Sequence, residues 1–218
     1  MAVELYDEHE QSERVRHWLR ENGVSLLMGV ILALAGIFGW RQYQEYQDSR
    51  AALASDYYTA VQRELDARRV EGAAQQYEAM REAVEGHPYA VMAGQLLASA
   101  HVEAGELDAA AAIYEAQLAD ESVAVLEPVT RLRLARVRAA QGRIDEGLAL
   151  VDGEAPTGYE TLWLETRGDL LFDRGDMDAA AEVYAEAVDR LRGEGGNVRL
   201  VELKLDAARS RAAGADAS

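Results

Sequence analysis

Apolar and polar residues are arranged in two regimes along this chain of 218 residues. In residues 23–40, GVSLLMGVILALAGIFGW, eighteen successive positions carry no charge. From residue 41 onward, apolar positions recur at the three- and four-residue spacing of helices that bury one face. The first pattern predicts a helix that is apolar on every side. At 1.5 Å per residue it spans about 27 Å, close to the roughly 30 Å of a bilayer's hydrocarbon core. Trp18 and Trp40, with Tyr43 and Tyr46 after them, stand where aromatic rings mark the two membrane interfaces. A buried helix of a soluble domain fits part of this pattern, and so does a cleaved export signal, because Ala33-Leu34-Ala35 before Gly36 matches a small-x-small cleavage site. That match falls inside the apolar run and follows a long, acid-rich leader, so an uncleaved single-span anchor is the expectation. Ser25, Gly29 and Ala33 recur every fourth residue, a row that permits close approach of a second transmembrane helix.

The flanks add detail. In residues 1–22, Val15, Trp18 and Leu19 share one side of a helix whose other side carries Glu13, Arg14, Arg16 and Arg20. This suits either a short cytoplasmic leader lying along the membrane surface or a plain lead-in to the span. Arg14, Arg16 and Arg20 before the span outnumber Arg41 and Arg50 after it, which favours a cytoplasmic amino terminus and an external carboxyl-terminal domain. Over residues 41–69 no proline interrupts the helical spacing of Tyr46, Arg50, Leu53, Tyr57 and Val61, with Ala54, Tyr58 and Leu65 alongside. A long helix leading into the remaining domain is expected there.

Residues 70–212 are repetitive. LASAHVEAGELDAAAAIYEAQ, LARVRAAQGRIDEGLALVDGE and RGDLLFDRGDMDAAAEVYAEA align on Gly105, Gly142 and Gly175, which are 37 and 33 residues apart. A small residue precedes each glycine by seven positions (Ala98, Ala135, Gly168) and another follows it by five (Ala110, Gly147, Ala180). Nine positions after the glycine comes a larger apolar residue: Tyr114, Val151 or Tyr184. An earlier segment, GAAQQYEAMREAV, carries the same ending in Ala73, Tyr77 and Met80. Such spacing predicts pairs of short antiparallel helices: the glycine ends the first by adopting a left-handed backbone, the small residues let the helices touch, and the larger group fills the gap to the next pair. Loops are predicted at His87-Pro88, Glu127-Pro128 and Pro156-Thr157-Gly158, a closing helix over 197–212, and a frayed tail over 213–218. The period and the A-x-x-x-Y spacing resemble the tetratricopeptide repeat, in degenerate form, since Gly147 and Val151 depart from it and the early tryptophan is missing. The fold class is therefore all-α: one amino-terminal transmembrane helix followed by a solenoid of tetratricopeptide-like hairpins.

Composition narrows the chemistry. The formal charge is −17, which argues against nucleic acid as a partner, because phosphate binding needs clustered positive charge. No cysteine is present, so disulfides, thiolate metal sites and cysteine nucleophiles are excluded. Lys204 is the only lysine, and no role follows from that alone. His101-Val102-Glu103 has the H-x-E spacing of zinc deaminases without the cysteine pair that completes their site. No phosphate-binding loop, dinucleotide fingerprint or nucleophile elbow occurs. The expectation is a non-enzyme with no catalytic residues, cofactor or metal. A stack of hairpins offers instead a concave face made by the first helix of each pair, where Gln95, Ser99, Arg136, Glu165 and Asp169 are the candidate partner-binding residues. Val102, Leu132 and Phe172 share the same repeat positions and fit interhelical packing equally well.

EQSERVRHWLRENG leading into GVILALAGIFGWRQY, then a tyrosine-rich helix, then units including LRLARVRAAQG and RGDLLFDRGD, resemble the YfgM-type ancillary subunits of the bacterial SecYEG translocon over nearly the full length. The resemblance implies a single-pass inner-membrane protein with a periplasmic repeat domain. It also implies partners, namely Sec translocon subunits and a membrane-anchored periplasmic chaperone of the peptidyl-prolyl isomerase type, and a role in helping newly exported proteins onward. A membrane-tethered adaptor that sequesters a signalling protein on the cytoplasmic side is the alternative. The oligomeric state is left open by the sequence.

Overall fold

The computed structural model describes residues 4–120 and 126–216, with side-chain surroundings for 13–120 and 126–214. Every regular element among them is a helix: α1 (Glu4–Asp66), α2 (Val70–Ala83), α3 (Pro88–Glu103), α4 (Leu107–Leu118), α5 (Glu127–Ala140), α6 (Ile144–Leu150), α7 (Glu160–Arg174), α8 (Met177–Gly193) and α9 (Arg199–Asp216). The chain divides into two compact units, Met1–Ala52 and Leu53–Ser218.

The first unit is the amino-terminal part of α1. Its large apolar side chains are bare: Val24 is 77% exposed, Leu32 67% and Phe38 71%. Within the helix stands a segment long and apolar enough to cross a membrane, and none of it is buried in protein. Ser25, Gly29 and Ala33 lie exposed along this segment. Val15, Trp18 and Leu19 are exposed too, on a helix that runs on without interruption into the apolar stretch.

The second unit begins with the last turns of α1 and stacks α2 to α9 upon them. Its core consists of four clusters, each shared by consecutive helices. Ala54 and Val61 of α1 pack with Ala73, Tyr77 and Met80 of α2 and with Ala93 and Leu97 of α3. Ala98 then meets Ala110 and Tyr114 of α4 and Leu134 and Val137 of α5. Leu132 and Ala135 carry the core to Val151 and to Trp163 and Leu170 of α7. Leu171, Tyr184 of α8 and Val201, Leu205 and Ala208 of α9 close the stack. The small residues allow this closeness. A Cβ added at Gly168 would stand 2.5 Å from the Tyr184 ring, so only glycine lets α8 lie so near α7.

The turns explain the repeat. At Gly105 (φ +78°), Gly142 (φ +79°) and Gly175 (φ +96°) the chain enters the left-handed region. In each case the glycine N–H donates to the carbonyl three residues back and the next N–H to the carbonyl five back: Val102 and His101, Ala139 and Arg138, Phe172 and Leu171. This double bond satisfies two orphan carbonyls and stops the helix. The same closure ends α1, where Arg68 N–H donates to Leu65 and Arg69 N–H to Glu64. There the left-handed residue is Arg68, with φ +58°. Arg68 lies 37 residues before Gly105, one repeat earlier. Part of residues 41–69, expected as a lead-in helix, thus forms the first helix of the first hairpin. The hairpins are α1 with α2, α3 with α4, α5 with α6, and α7 with α8, and α9 covers the last.

Two further differences from the sequence reading are local. Leu53, placed on the inward row by spacing, is 42% exposed, while its neighbour Ala54 is fully buried. The closing helix α9 continues to Asp216, four residues past the expected end at Ala212, and Asn197 precedes it with its side-chain oxygen accepting from Arg199 N–H at 3.1 Å.

Candidate interaction surface

The positions predicted to line a shared face fall on α3, α5 and α7, and the structure engages most of them in links between helices. Gln95 is half-buried. Its Nε2 donates to Gln117 Oε1 at 2.6 Å and to Thr130 Oγ1 at 2.8 Å, and its Oε1 accepts from Arg133 at 2.6 Å. Gln117 in turn donates to the Val91 carbonyl at 3.0 Å. Three helices, α3, α4 and α5, therefore share one satisfied polar junction inside an apolar stack, which fixes their register. Ser99 turns back to donate to the Gln95 carbonyl at 2.9 Å.

A second junction joins α7, α8 and α9. Lys204 Nζ donates to Glu165 at 2.7 Å and to both oxygens of Asp169 at 2.7 and 2.9 Å. Tyr184 OH donates to Asp169 Oδ1 at 2.7 Å. Burial acts to lower the pKa of the Lys204 ammonium, but the hydrogen bonds to Asp169 and Glu165 outweigh it and hold the group charged above its ordinary range. Burial, and then the hydrogen bond it donates to the Asp169 carboxylate, push the Tyr184 phenol far up, so it stays a donor.

Beside the second junction lies a groove of about 620 Å³ lined mainly by α5, α7 and α9. Ala139, Ala140, Phe172, Leu203 and Ala207 give it an apolar floor; Arg136, Asp169, Asp173 and Lys204 edge it. Arg136 is exposed and donates to Thr166 Oγ1 at 2.9 Å. Arg211 lies over the Phe172 ring, 4.5 Å from its centre. Leu203, 62% exposed, is among the barest apolar side chains of the repeat unit.

Of the residues expected at this face, Arg136, Asp169 and Phe172 line the groove together, while Glu165 stands behind Lys204. Gln95 and Ser99 are separate from it, at the α3–α5 junction. Val102 is exposed on α3, and Leu132 is buried with Val151 and Trp163, in the interhelical packing that was its other expected place. The core takes Leu132 because it follows the row of Ala135 rather than that of Arg136 around α5. His101 meets Glu106 at the hairpin turn, at 2.6 Å, not Glu103. Sequence reasoning passed over Lys204, Arg133, Thr166 and Leu203. The one lysine of the chain was the available signal for Lys204, since it is the cation held between two of the predicted carboxylates.

The tetratricopeptide repeat-like domain family model matches residues 16–210. The "Ancillary SecYEG translocon subunit" of Escherichia coli (strain K12) is 31% identical over 189 residues, covering 85% of this chain and 90% of that protein. The protein of the same description from Haemophilus influenzae is 27% identical over 191 residues, covering 86% and 91%. Among solved structures, TPR-like repeats of a Podosopora anserina kinesin light chain superpose with a TM-score of 0.53 at 15% identity, over 73% of this chain and 87% of that one, a likeness of fold.

Proposed function

This chain belongs to the tetratricopeptide repeat-like family of ancillary SecYEG translocon subunits, and from that premise we propose that it is a membrane-anchored docking scaffold at the Sec translocon. Residues 23–40 cross the inner membrane once, uncleaved, with residues 1–22 cytoplasmic and the repeats in the periplasm. The repeats contact translocon subunits and a membrane-anchored chaperone of the peptidyl-prolyl isomerase type, and assist newly exported proteins. Contact, rather than catalysis, is the activity.

One observation carries this reading. The helix whose exposed apolar stretch matches a bilayer's thickness also supplies Ala54 and Val61 to the core of the repeats, so anchor and scaffold are one covalent element. The family model matches residues 16–210, which take in both parts. Photo-cross-linking in intact membranes from a probe at Leu203, beside the groove, is expected to trap Sec subunits or a periplasmic chaperone. Recovery of neither, from stable full-length protein, defeats the proposal. A reporter fused after Ala212 is expected to be active only outside the cytoplasm; cytoplasmic activity turns the reading to the tethered signalling adaptor.

A further inference from the structure

Past the apolar stretch, α1 continues as a helix whose residues 41–49 are exposed on every side. The rings of this bare stretch fall on one face: Tyr43 and Tyr46 are each 55% exposed, while Gln42, Gln44, Glu45, Gln47 and Asp48 take the other positions. Counted by alternating steps of three and four, the same face runs back through Gly39, Gly36 and Leu32 and on to Arg50. That alternation averages 3.5 residues and keeps a seam turned toward a second helix wound about the first. The row of Ser25, Gly29 and Ala33, continued at every fourth residue, reaches Ile37 and Arg41 and leaves this face. Glycine weakens a helix interior relative to alanine, yet a Cβ at Gly36 or Gly39 would have nothing within 4 Å. Only a helix from outside this chain makes use of their smallness. The rings are already posed: Gln47 Nε2 donates to the Tyr43 hydroxyl at 2.9 Å, the Trp40 ring lies 6.2 Å from that of Tyr43, and the Arg50 guanidinium lies 5.9 Å from the centre of the Tyr46 ring.

We propose that this face of α1 docks one helix of a different membrane protein, which leaves the bilayer beside α1, passes Gly36 and Gly39 at close range and carries a carboxylate opposite Arg50. The inference rests on the docking-scaffold reading, and it names the place on α1 and the chemistry of the partner helix. Charge selects the occupant. Two parallel copies of this chain would bring Arg50 against Arg50 in the seam, whereas a carboxylate there gains paired hydrogen bonds from a planar guanidinium. Lipid accounts for less of the face. The headgroup layer adds roughly 5–8 Å on each side of the hydrocarbon core. Tyr46 stands six residues past Trp40 and Arg50 ten, which are about 9 Å and about 15 Å along the helix, so an interfacial belt explains Tyr43 and leaves the other two beyond it.

The test places a photoreactive phenylalanine analogue singly at positions 42–48 of the full-length protein in native membranes. Adducts with a second membrane protein are expected at 43 and 46 in about fivefold or higher yield than at 44, 45 and 48, with the cross-linked residue of the partner just outside its own span by mass spectrometry. Arg50→Glu is expected to lower the yield at 46 by about tenfold, while Arg50→Lys keeps most of it. Gly36→Leu together with Gly39→Leu fills the open side of the helix, and is expected to remove the adducts and leave the Tm of the repeats unchanged. Equal yield around the helix, or adducts with lipid alone, overturns the proposal. So does an adduct of twice the mass of this chain, which assigns the face to a second copy. Cross-linking from Leu203 is scored separately: its persistence without adducts at 43 and 46 rejects this inference alone, and an empty result at both positions and at Leu203 defeats the scaffold as well.

Discussion

The two units treat apolar side chains in opposite ways. In the first, Val24, Leu32 and Phe38 stand bare on a lone helix, and Gly29 and Gly36 have nothing within 4 Å of the place a Cβ would take. In the second, Met80, Leu97, Tyr114 and Leu170 are almost fully enclosed, and a Cβ at Gly168 collides with a ring. Burying a leucine-sized side chain contributes about 1.5–3 kcal/mol, so a helix that leaves so many exposed is stable only in a medium that is itself apolar. The repeat unit supplies its own apolar medium; the amino-terminal helix borrows lipid.

The largest way to break that contrast is a charge in the span. Leu32→Arg costs about 3 kcal/mol of insertion free energy at a helix centre, and alkaline extraction of membranes is expected to release a substantial fraction of the variant. Full retention of the variant in membranes means the stretch is not the anchor. A matched pair comes next. Gly168→Val forces α8 away from α7 and is expected to destabilise the repeats by about 2 kcal/mol, whereas Gly36→Val, in open space, leaves their thermal midpoint unchanged. Thermal unfolding of full-length protein in detergent reads both, and equal effects erase the distinction between the units.

How much of this was visible in the chain follows from the range of each interaction. The apolar run, the glycine turns and the small residues of the hairpins are local or periodic, so spacing alone exposed Gly105, Gly142, Gly175 and their partners. The fate of a polar residue depends on what a distant helix brings. Glu165 and Asp169 were identified by repeat position, yet their cation, Lys204, arrives from 39 and 35 residues away. Gln95 likewise meets Gln117 and Thr130 from two other helices. Leu132 and Arg136 are one helical turn apart in sequence, and only the packing of α5 separates core from groove.

The Lys204 junction gives a smaller, pH-dependent effect. The folded-state pKa values of Lys204 and Tyr184 are both raised, so their contribution to stability is complete below the unfolded values near pH 10 and is lost as pH rises beyond them. A fall in Tm setting in near pH 10 and continuing above it is expected, worth about 1 kcal/mol, and Lys204→Met together with Tyr184→Phe should flatten it. A slope unchanged in that double variant places the titrating groups elsewhere.

The smallest effect lies where the repeat is hardest to see. Three hairpin turns use glycine at the left-handed residue; the first, at the end of α1, uses Arg68 at φ +58° with the same pair of closing hydrogen bonds. A side chain in that backbone region is strained by roughly 1 kcal/mol, while glycine there is unstrained but gives the unfolded chain more freedom. The first term exceeds the second by a few tenths of a kcal/mol, so Arg68→Gly is expected to raise the Tm by about one or two degrees. Gly105→Ala, the reverse exchange one repeat later, should lower it by a similar or larger amount, because it adds strain where none exists. The two results together test whether the end of α1 is the first member of the repeat. A decrease with Arg68→Gly shows that the Arg68 side chain contributes contacts the glycine turns do without, and removes the equivalence of the four hairpins.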